Sequence, residues 1–150
     1  MNKDVKMKVK LQMDKIENCL LKAYNKIERK ELNLPKNLTK DSWNELMNDA
    51  TGDFWETIDV EDNIYFIFDD KRNLLDVGKS KDIRGRLKQH FVSKPQGTSS
   101  KIEELQKYVL DEQRFTLYVS TLKIDPAKYY QMAEAFYIDR FSPPWNNRKD

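Results

Sequence analysis

The sequence lacks several features that would direct a protein to a particular compartment. It contains a single cysteine, Cys19, so no internal disulfide can form, which favours a reducing setting. Its first ten residues carry charged side chains where a signal peptide would have an apolar stretch. No apolar run approaches the roughly 20 residues that cross a bilayer. We therefore expect a soluble, cytoplasmic protein with no membrane role.

Charge of neither sign dominates the chain, because 27 Lys and Arg residues are balanced by 25 Asp and Glu residues to leave a net charge of +2. Any case for a nucleic-acid partner must therefore rest on local clusters of positive charge. Apolar residues make up 39% and charged residues 35% of the 150 residues, without the high net charge typical of disorder. A chain of this length is sufficient for one domain with a core and an accessory segment.

The first part of the chain is predicted to be helical. Over residues 9–27 apolar side chains recur at steps of three and four, which predicts one long amphipathic helix. Such a stripe either covers the core of its own chain or forms a homodimer. Residues 32–40 are predicted to be a loop, and a capping-box pattern predicts a short helix over residues 43–49 that closes at Gly52. We assign residues 1–60 to an N-terminal helical extension.

Beyond residue 61 the pattern changes to that of a mixed domain. Strand-favouring residues at 64–68 and 74–77 flank a polar turn and predict a β-hairpin, and residues 115–120 predict a third strand. The order strand, strand, helix, helix, strand, helix indicates an α+β domain over residues 61–150, with a small three-stranded antiparallel sheet flanked by helices. The helices are predicted from a cap at Ser80 or Asp82 to about residue 91, and at residues 100–110 and 125–141.

The predicted hairpin carries the first half of an ordered motif. Its first strand begins Asn63-Ile64-Tyr65, its second strand ends Asp76-Val77-Gly78, and Lys79 follows directly. These tripeptides resemble the two that give the GIY-YIG family of nucleases its name. The resemblance implies an α+β catalytic module, here over about residues 62–147.

The second half of the motif lies further along the chain. Arg86 follows Gly78 by eight residues, and His90 follows Arg86 by four, so both side chains share one face of the predicted helix. Glu134 on the last predicted helix and the run Pro144-Trp145-Asn146 resemble the metal-binding glutamate and the terminal asparagine motif of the family. Several features in one order are more specific than any of them alone.

The resemblance implies a divalent-metal-dependent endonuclease that hydrolyses DNA phosphodiester bonds with Mg²⁺ or Mn²⁺. Glu134 would be the metal ligand, since one carboxylate is enough to anchor a Mg²⁺ ion that keeps several waters. Arg86 offers a planar fork of donors to a phosphate, and Lys79 offers a point charge. The general base is either Tyr65 or His90. The implied catalytic residues are Tyr65, Lys79, Arg86, His90, Glu134 and Asn146.

Two positions depart from the family pattern. Asn63 replaces the first glycine, which matters little within a strand. Asp76 replaces the tyrosine of the second tripeptide, and a carboxylate there repels phosphate unless a metal or a cation neutralises it. Asp76 is therefore either a second metal ligand or a damaged position. If it is damaged, the alternative function is a catalytically impaired module that binds DNA or another protein.

Positive charge is concentrated within sixteen residues around the second strand and the following helix, which gives a local footprint for a phosphate backbone. The competing interpretation is an ordinary solvated helix face. No separate sequence-reading module is recognisable in the first 60 residues, so neither DNA specificity nor a role in repair, restriction, mobile elements or phage biology is predicted. The predicted DNA-binding residues are Lys79, Lys81, Arg84, Arg86, Lys88 and Lys94.

Overall fold

The computed structural model describes residues 3–92 and 101–146, with side chains from residue 15 onward. The α+β class is confirmed. Short turns of tighter or wider helix lie at Lys107–Asp111, Ala127–Tyr129 and Pro144–Asn146. The main elements are α1 (Lys3–Lys26), β1 (Lys30–Asn33), α2 (Trp43–Trp55), β2 (Ile64–Phe68), β3 (Leu74–Lys79), α3 (Ile83–Phe91), α4 (Ile102–Gln106), β4 (Thr116–Leu122) and α5 (Tyr130–Phe141).

Within the described residues the sheet has four antiparallel strands in the order β1-β4-β2-β3, so the expectation of three strands was wrong. The additional strand, β1, overlaps the predicted loop at residues 32–40 and pairs with β4, placing Leu32 opposite Leu117. Only Leu32 of its four side chains is buried, so β1 has none of the apolar alternation that predicts a strand. The division at residue 60 stays a prediction, and the segments on either side of it share this sheet.

Helices cover both faces of the sheet, and each face has its own core. On one face, Tyr65 and Ile67 of β2 pack with α2, α3 and α4. On the other face, Phe66 and Phe68 pack with α1 and α5. Alternate residues of β2 point to opposite faces, and all five are buried, which explains the continuous apolar run of this strand.

Helix α1 packs against its own chain through the described part of its apolar stripe. Leu20 is buried, Tyr24 stacks on Phe141 with ring centroids 4.4 Å apart, and the Tyr137 hydroxyl donates a hydrogen bond to the Leu20 carbonyl at 2.6 Å. These contacts give no support to a homodimer through this helix, which stays a prediction. No helix among the described residues has both the length and the apolar character needed to span a membrane.

Two predicted helix boundaries were wrong. Helix α2 continues through Gly52 to Trp55, because burial of the Trp55 side chain in the core outweighs the helix-ending tendency of glycine. The helix predicted to open at Asp125 has Pro126 in an extended conformation, and α5 begins only at Tyr130.

Trp43 fixes α2 to the core of the module. Its side chain is 1% exposed, and its indole Nε1 donates a hydrogen bond to the Phe91 carbonyl at the end of α3, at 2.8 Å. We expect Trp43→Ala to lower the free energy of unfolding by about 3–5 kcal/mol, the usual cost of emptying a buried aromatic site. Urea denaturation measures it. Val60→Ala, at an exposed site, is the control and should change stability little; an equal effect of both substitutions would contradict the assigned packing.

Candidate active site

The phenol ring of Tyr65 lies directly over the backbone of Gly78. The two residues are cross-strand partners in the β2–β3 pair, and their side chains would share one face of the sheet. A Cβ atom at residue 78 would overlap the Cζ and Oη atoms of Tyr65. Glycine is therefore required at residue 78 because only a residue without a side chain leaves room for this phenol.

His90 approaches the same phenol from α3. Its Nε2 atom lies 2.6 Å from the Tyr65 hydroxyl, and its Nδ1 atom accepts a hydrogen bond from the backbone N–H of Lys101 at 3.1 Å. Because Nδ1 is an acceptor, the ring proton of a neutral His90 belongs on Nε2, which then donates to Tyr65. The hydroxyl hydrogen of Tyr65 is left to point elsewhere.

The Tyr65 hydroxyl donates its hydrogen bond to Asp76. It lies on β3 opposite Ile67, two residues before Gly78 and on the same face, and it is fully buried. The Tyr65 hydroxyl donates to its Oδ2 atom at 3.3 Å, and the ammonium group of Lys101 lies 3.7 Å from its Oδ1 atom. Lys101 therefore touches the cluster twice, through its backbone and through its side chain.

Three charged side chains border this cluster. Arg86 on α3 and Glu134 on α5 both act electrostatically on the Tyr65 phenol. Lys79 at the end of β3 forms an ion pair with Glu134 at 3.5 Å, and Nη1 of Arg86 donates to Gln89 at 3.2 Å. The structure thus brings together five of the predicted catalytic residues, at the end of the β2–β3 hairpin where Gly78 lies.

Burial sets the protonation states in the cluster. It raises the pKa of Tyr65 well above the ordinary phenol value, an effect strengthened by the charge of Asp76. Burial raises the pKa of Asp76 to about 7, although Lys101 opposes the shift. Burial, together with the charges of Arg86 and Lys101, lowers the pKa of His90 to about 3. At neutral pH the tyrosine and the histidine are therefore both uncharged.

These residues belong to a segment with a known family signature. A sequence model described as the GIY-YIG catalytic domain matches residues 62–149, which is more than half of the chain. The chain belongs to the GIY-YIG family. No match was found among curated proteins or among solved structures.

The GIY-YIG match confirms the family resemblance and covers every residue of the predicted catalytic set. The sixth member of that set, Asn146, contacts the β3 backbone rather than the Tyr65 cluster. Its Oδ1 atom accepts from the Val77 N–H at 2.8 Å, and its Nδ2 atom donates to the Val77 carbonyl at 2.9 Å. Asn146 therefore holds the C-terminal turn against the strand that carries Asp76 and Gly78.

The predicted DNA-binding residues of this GIY-YIG module take different positions. Lys81 and Lys88 are exposed. The guanidinium group of Arg84 instead donates to the Ile58 and Glu56 carbonyls, at 2.7 and 3.1 Å, and so ties α3 to the segment after α2. Lys94 lies outside the described residues.

The carboxylate of Glu134 is the group that fits a divalent ion. Its side chain is 21% exposed, and its charge acts on both Tyr65 and Asp76. Within the described residues no three His, Cys, Asp or Glu side chains form a metal-binding group. A site with one carboxylate fits Mg²⁺, which retains waters and takes substrate phosphate oxygens as ligands. Asp76 accepts a hydrogen bond from Tyr65 and pairs with Lys101, and Glu134 acts on it electrostatically.

Lys101 is the residue of this cluster that the sequence analysis did not identify. Neither family tripeptide includes Lys101. One of its two contacts with the cluster is made by a backbone N–H, which any residue except proline would supply. His90 and Lys101 lie on two separate predicted helices, so helical spacing could not indicate their contact.

The overlap at Gly78 generates a prediction. In Gly78→Ala the new methyl group displaces the Tyr65 phenol, so the hydrogen bonds to His90 and Asp76 are lost and stability falls by about 1–3 kcal/mol, as for an overpacked core. His90 is the only histidine, so ¹⁵N spectra of histidine-labelled protein report its tautomer without assignment ambiguity.

Gly52→Ala is the matched control. It lies within α2, and a Cβ atom there meets no atom within 4 Å. This alanine should raise stability by about 0.5–1 kcal/mol, because glycine is the poorer helix former. A Gly78→Ala protein with wild-type stability and an unchanged histidine spectrum would contradict the close approach of Tyr65.

Proposed function

We propose that this protein is a divalent-metal-dependent endonuclease that hydrolyses phosphodiester bonds of DNA. The observation that carries the proposal is the hydrogen-bonded pair of Tyr65 and His90 beside Arg86 and Glu134. Such a group combines a proton-accepting oxygen, a phosphate-binding guanidinium and a carboxylate suited to Mg²⁺ or Mn²⁺. Membership of the GIY-YIG family supports the same reaction class.

Each charged residue has a distinct part in the proposed reaction. Arg86 donates hydrogen bonds to the scissile phosphate and stabilises the charge that develops on it. Glu134 would hold a divalent ion, which would supply Lewis-acid neutralisation of the phosphate charge. Lys79, paired with Glu134 at 3.5 Å, adds positive charge beside the phosphate.

A cleft bordered by the start of α5 is the path that we propose for the DNA backbone. It has a volume of about 680 Å³, and Tyr130 on its wall lies one turn before Glu134 on α5. Lys81, Lys123 and Lys128 line its walls and suit phosphates, although Glu61 and Asp62 line it too and Lys123 is paired with Glu61 at 3.2 Å. We also propose a reducing, cytoplasmic setting, with which the free, exposed Cys19 is consistent.

The test of the proposal is nicking of supercoiled plasmid with Mg²⁺ or Mn²⁺, with and without a chelator. Glu134→Ala should lower cleavage at least about 100-fold, comparable to the loss of one transition-state contact. DNA affinity should persist, because Lys and Arg contacts to phosphate supply most of it. The control is Asp139→Ala, which removes an exposed carboxylate from the same helix and should cut normally.

Two outcomes would count against this function. Cleavage that persists in chelator or in Glu134→Ala would remove the metal role of Glu134. DNA binding by the wild-type protein with no cleavage under any metal would favour the alternative, a non-catalytic module in which Asp76 has abolished turnover.

Arg86 generates a separate prediction. Arg86→Lys keeps the charge but loses the planar fork, so the cleavage rate should fall by about 10- to 1000-fold. Binding, measured by fluorescence anisotropy, should change far less. Arg140→Lys, at an exposed position of α5, is the matched control. If Arg86→Lys weakens binding at an unchanged single-turnover rate, Arg86 belongs to the general basic surface.

A further inference from the structure

The hydrogen bonds around Tyr65 run in one direction. The backbone N–H of Lys101 donates to Nδ1 of His90, so a proton on Nδ1 would oppose it, and the imidazole proton belongs on Nε2. Nε2 then donates to the phenol oxygen at 2.6 Å. The phenol donates in turn to Oδ2 of Asp76 at 3.3 Å. The one hydrogen that Tyr65 owns is therefore directed to Asp76.

The surroundings of Asp76 suit it to accept a proton at this position. The carboxylate is fully buried, and its second oxygen has no hydrogen-bond partner among the described residues. The ammonium group of Lys101, 3.7 Å away, compensates its charge and is itself held by the Trp145 carbonyl at 2.8 Å. A buried carboxylate needs such a partner to ionise at all.

We infer that Asp76 accepts the phenol proton of Tyr65 during DNA cleavage and that Lys101 is a positioning residue that keeps Asp76 ionised. The inference rests on the proposed function. It gives the replacement of the family's second tyrosine a purpose, because Asp76 becomes the end point of a proton relay instead of a damaged position or a metal ligand.

The proposed step hydrolyses one phosphodiester bond. A water oxygen forms a bond to phosphorus while one of its protons moves to the Tyr65 oxygen, and the phenol's own proton moves to Oδ2 of Asp76. The bond between phosphorus and the leaving sugar oxygen breaks, and that oxygen keeps the electron pair and takes a proton from solvent. Tyr65 is thus unchanged after the step, and Asp76 later returns its proton to solvent.

The raised pKa of the Tyr65 phenol favours a relay over a mechanism that uses a free phenolate. Burial raises the pKa of Tyr65 far above neutrality, so the phenol can accept a proton only as its own departs. The acceptor titrates where the relay needs it, since burial raises the pKa of Asp76 to about 7. The groups that face Asp76 are Lys101, Tyr65 of β2, Glu104 of α4 and Glu134 of α5.

Two variants separate the relay from a structural role. In Asp76→Asn the amide oxygen still accepts the Tyr65 hydrogen bond but cannot take the proton. Nicking should fall about 100- to 10,000-fold, the usual range for lost general base catalysis. Lys101→Met removes the ammonium group but retains the backbone N–H that orients His90. Lys107→Met, at an exposed position just beyond α4, is the matched control and should behave as wild type.

The pH profile gives the readout that a structural role would not move. The acceptor must be ionised, so wild-type nicking should rise with pH through about 7 and be lost as pH falls below it. Without the Lys101 charge the pKa of Asp76 rises further, so the same limb should move to higher pH. Asp76→Asn should lack this limb. Wild-type rate and profile in Asp76→Asn would overturn the relay.

Carboxyl ¹³C titration of aspartate-labelled protein tests the pair without turnover. The Asp76 signal is the one missing from Asp76→Asn, and Lys101→Met should shift its midpoint upward while Lys107→Met does not. An unshifted midpoint would overturn the role of Lys101. A second outcome is that Lys101→Met shifts the midpoint while the wild-type protein nicks no plasmid at any pH. This result would support the role of Lys101 but would refute both the proposed function and the proton-accepting step.

Discussion

The contact between the Tyr65 phenol and the bare backbone of Gly78 is the constraint on which the rest of the site depends. It requires β2 and β3 to pair in one register, which also sets Asp76 opposite Ile67 on the same face. A shift by one residue would turn Asp76 toward the opposite core, among Phe66 and Phe68. Helix α3 then needs only to bring His90 over the hairpin for the hydrogen-bonded cluster to close.

The hairpin and its motif could be predicted because their signals are local. A continuous apolar strand, a polar turn and glycine at the end of the second strand each have one dominant physical reading. β1 could not be predicted, because Lys30, Glu31 and Asn33 carry no strand pattern and pairing with β4 alone makes this segment extended. Lys101 was missed for a related reason: its contacts with His90 and Asp76 depend on how the start of α4 lies against α3 and β3, which the sequence does not encode.

The cluster of positive charge on α3 was predicted as one surface, but the structure divides it. Arg86 and His90 are four residues apart and face the hairpin, whereas Arg84 reaches the carbonyl of Ile58 on another side. Sequence spacing gives which side chains share a helix face but not what each face meets. Asp76 is a second case in which the sequence did not show what a side chain meets. Its carboxylate was expected to repel phosphate, and in the fold Lys101 compensates its charge.

The two hydrogen bonds of Asn146 have a consequence for the protein's behaviour in concentrated solution. β3 is an outer strand of the sheet, and the backbone of such a strand is a template for pairing with another chain. The Asn146 amide offers Val77 the same donor and acceptor as a peptide group of a neighbouring strand would. It therefore occupies the pairing groups of Val77 as a neighbouring strand would, so another chain could pair at this position of β3 only by displacing Asn146.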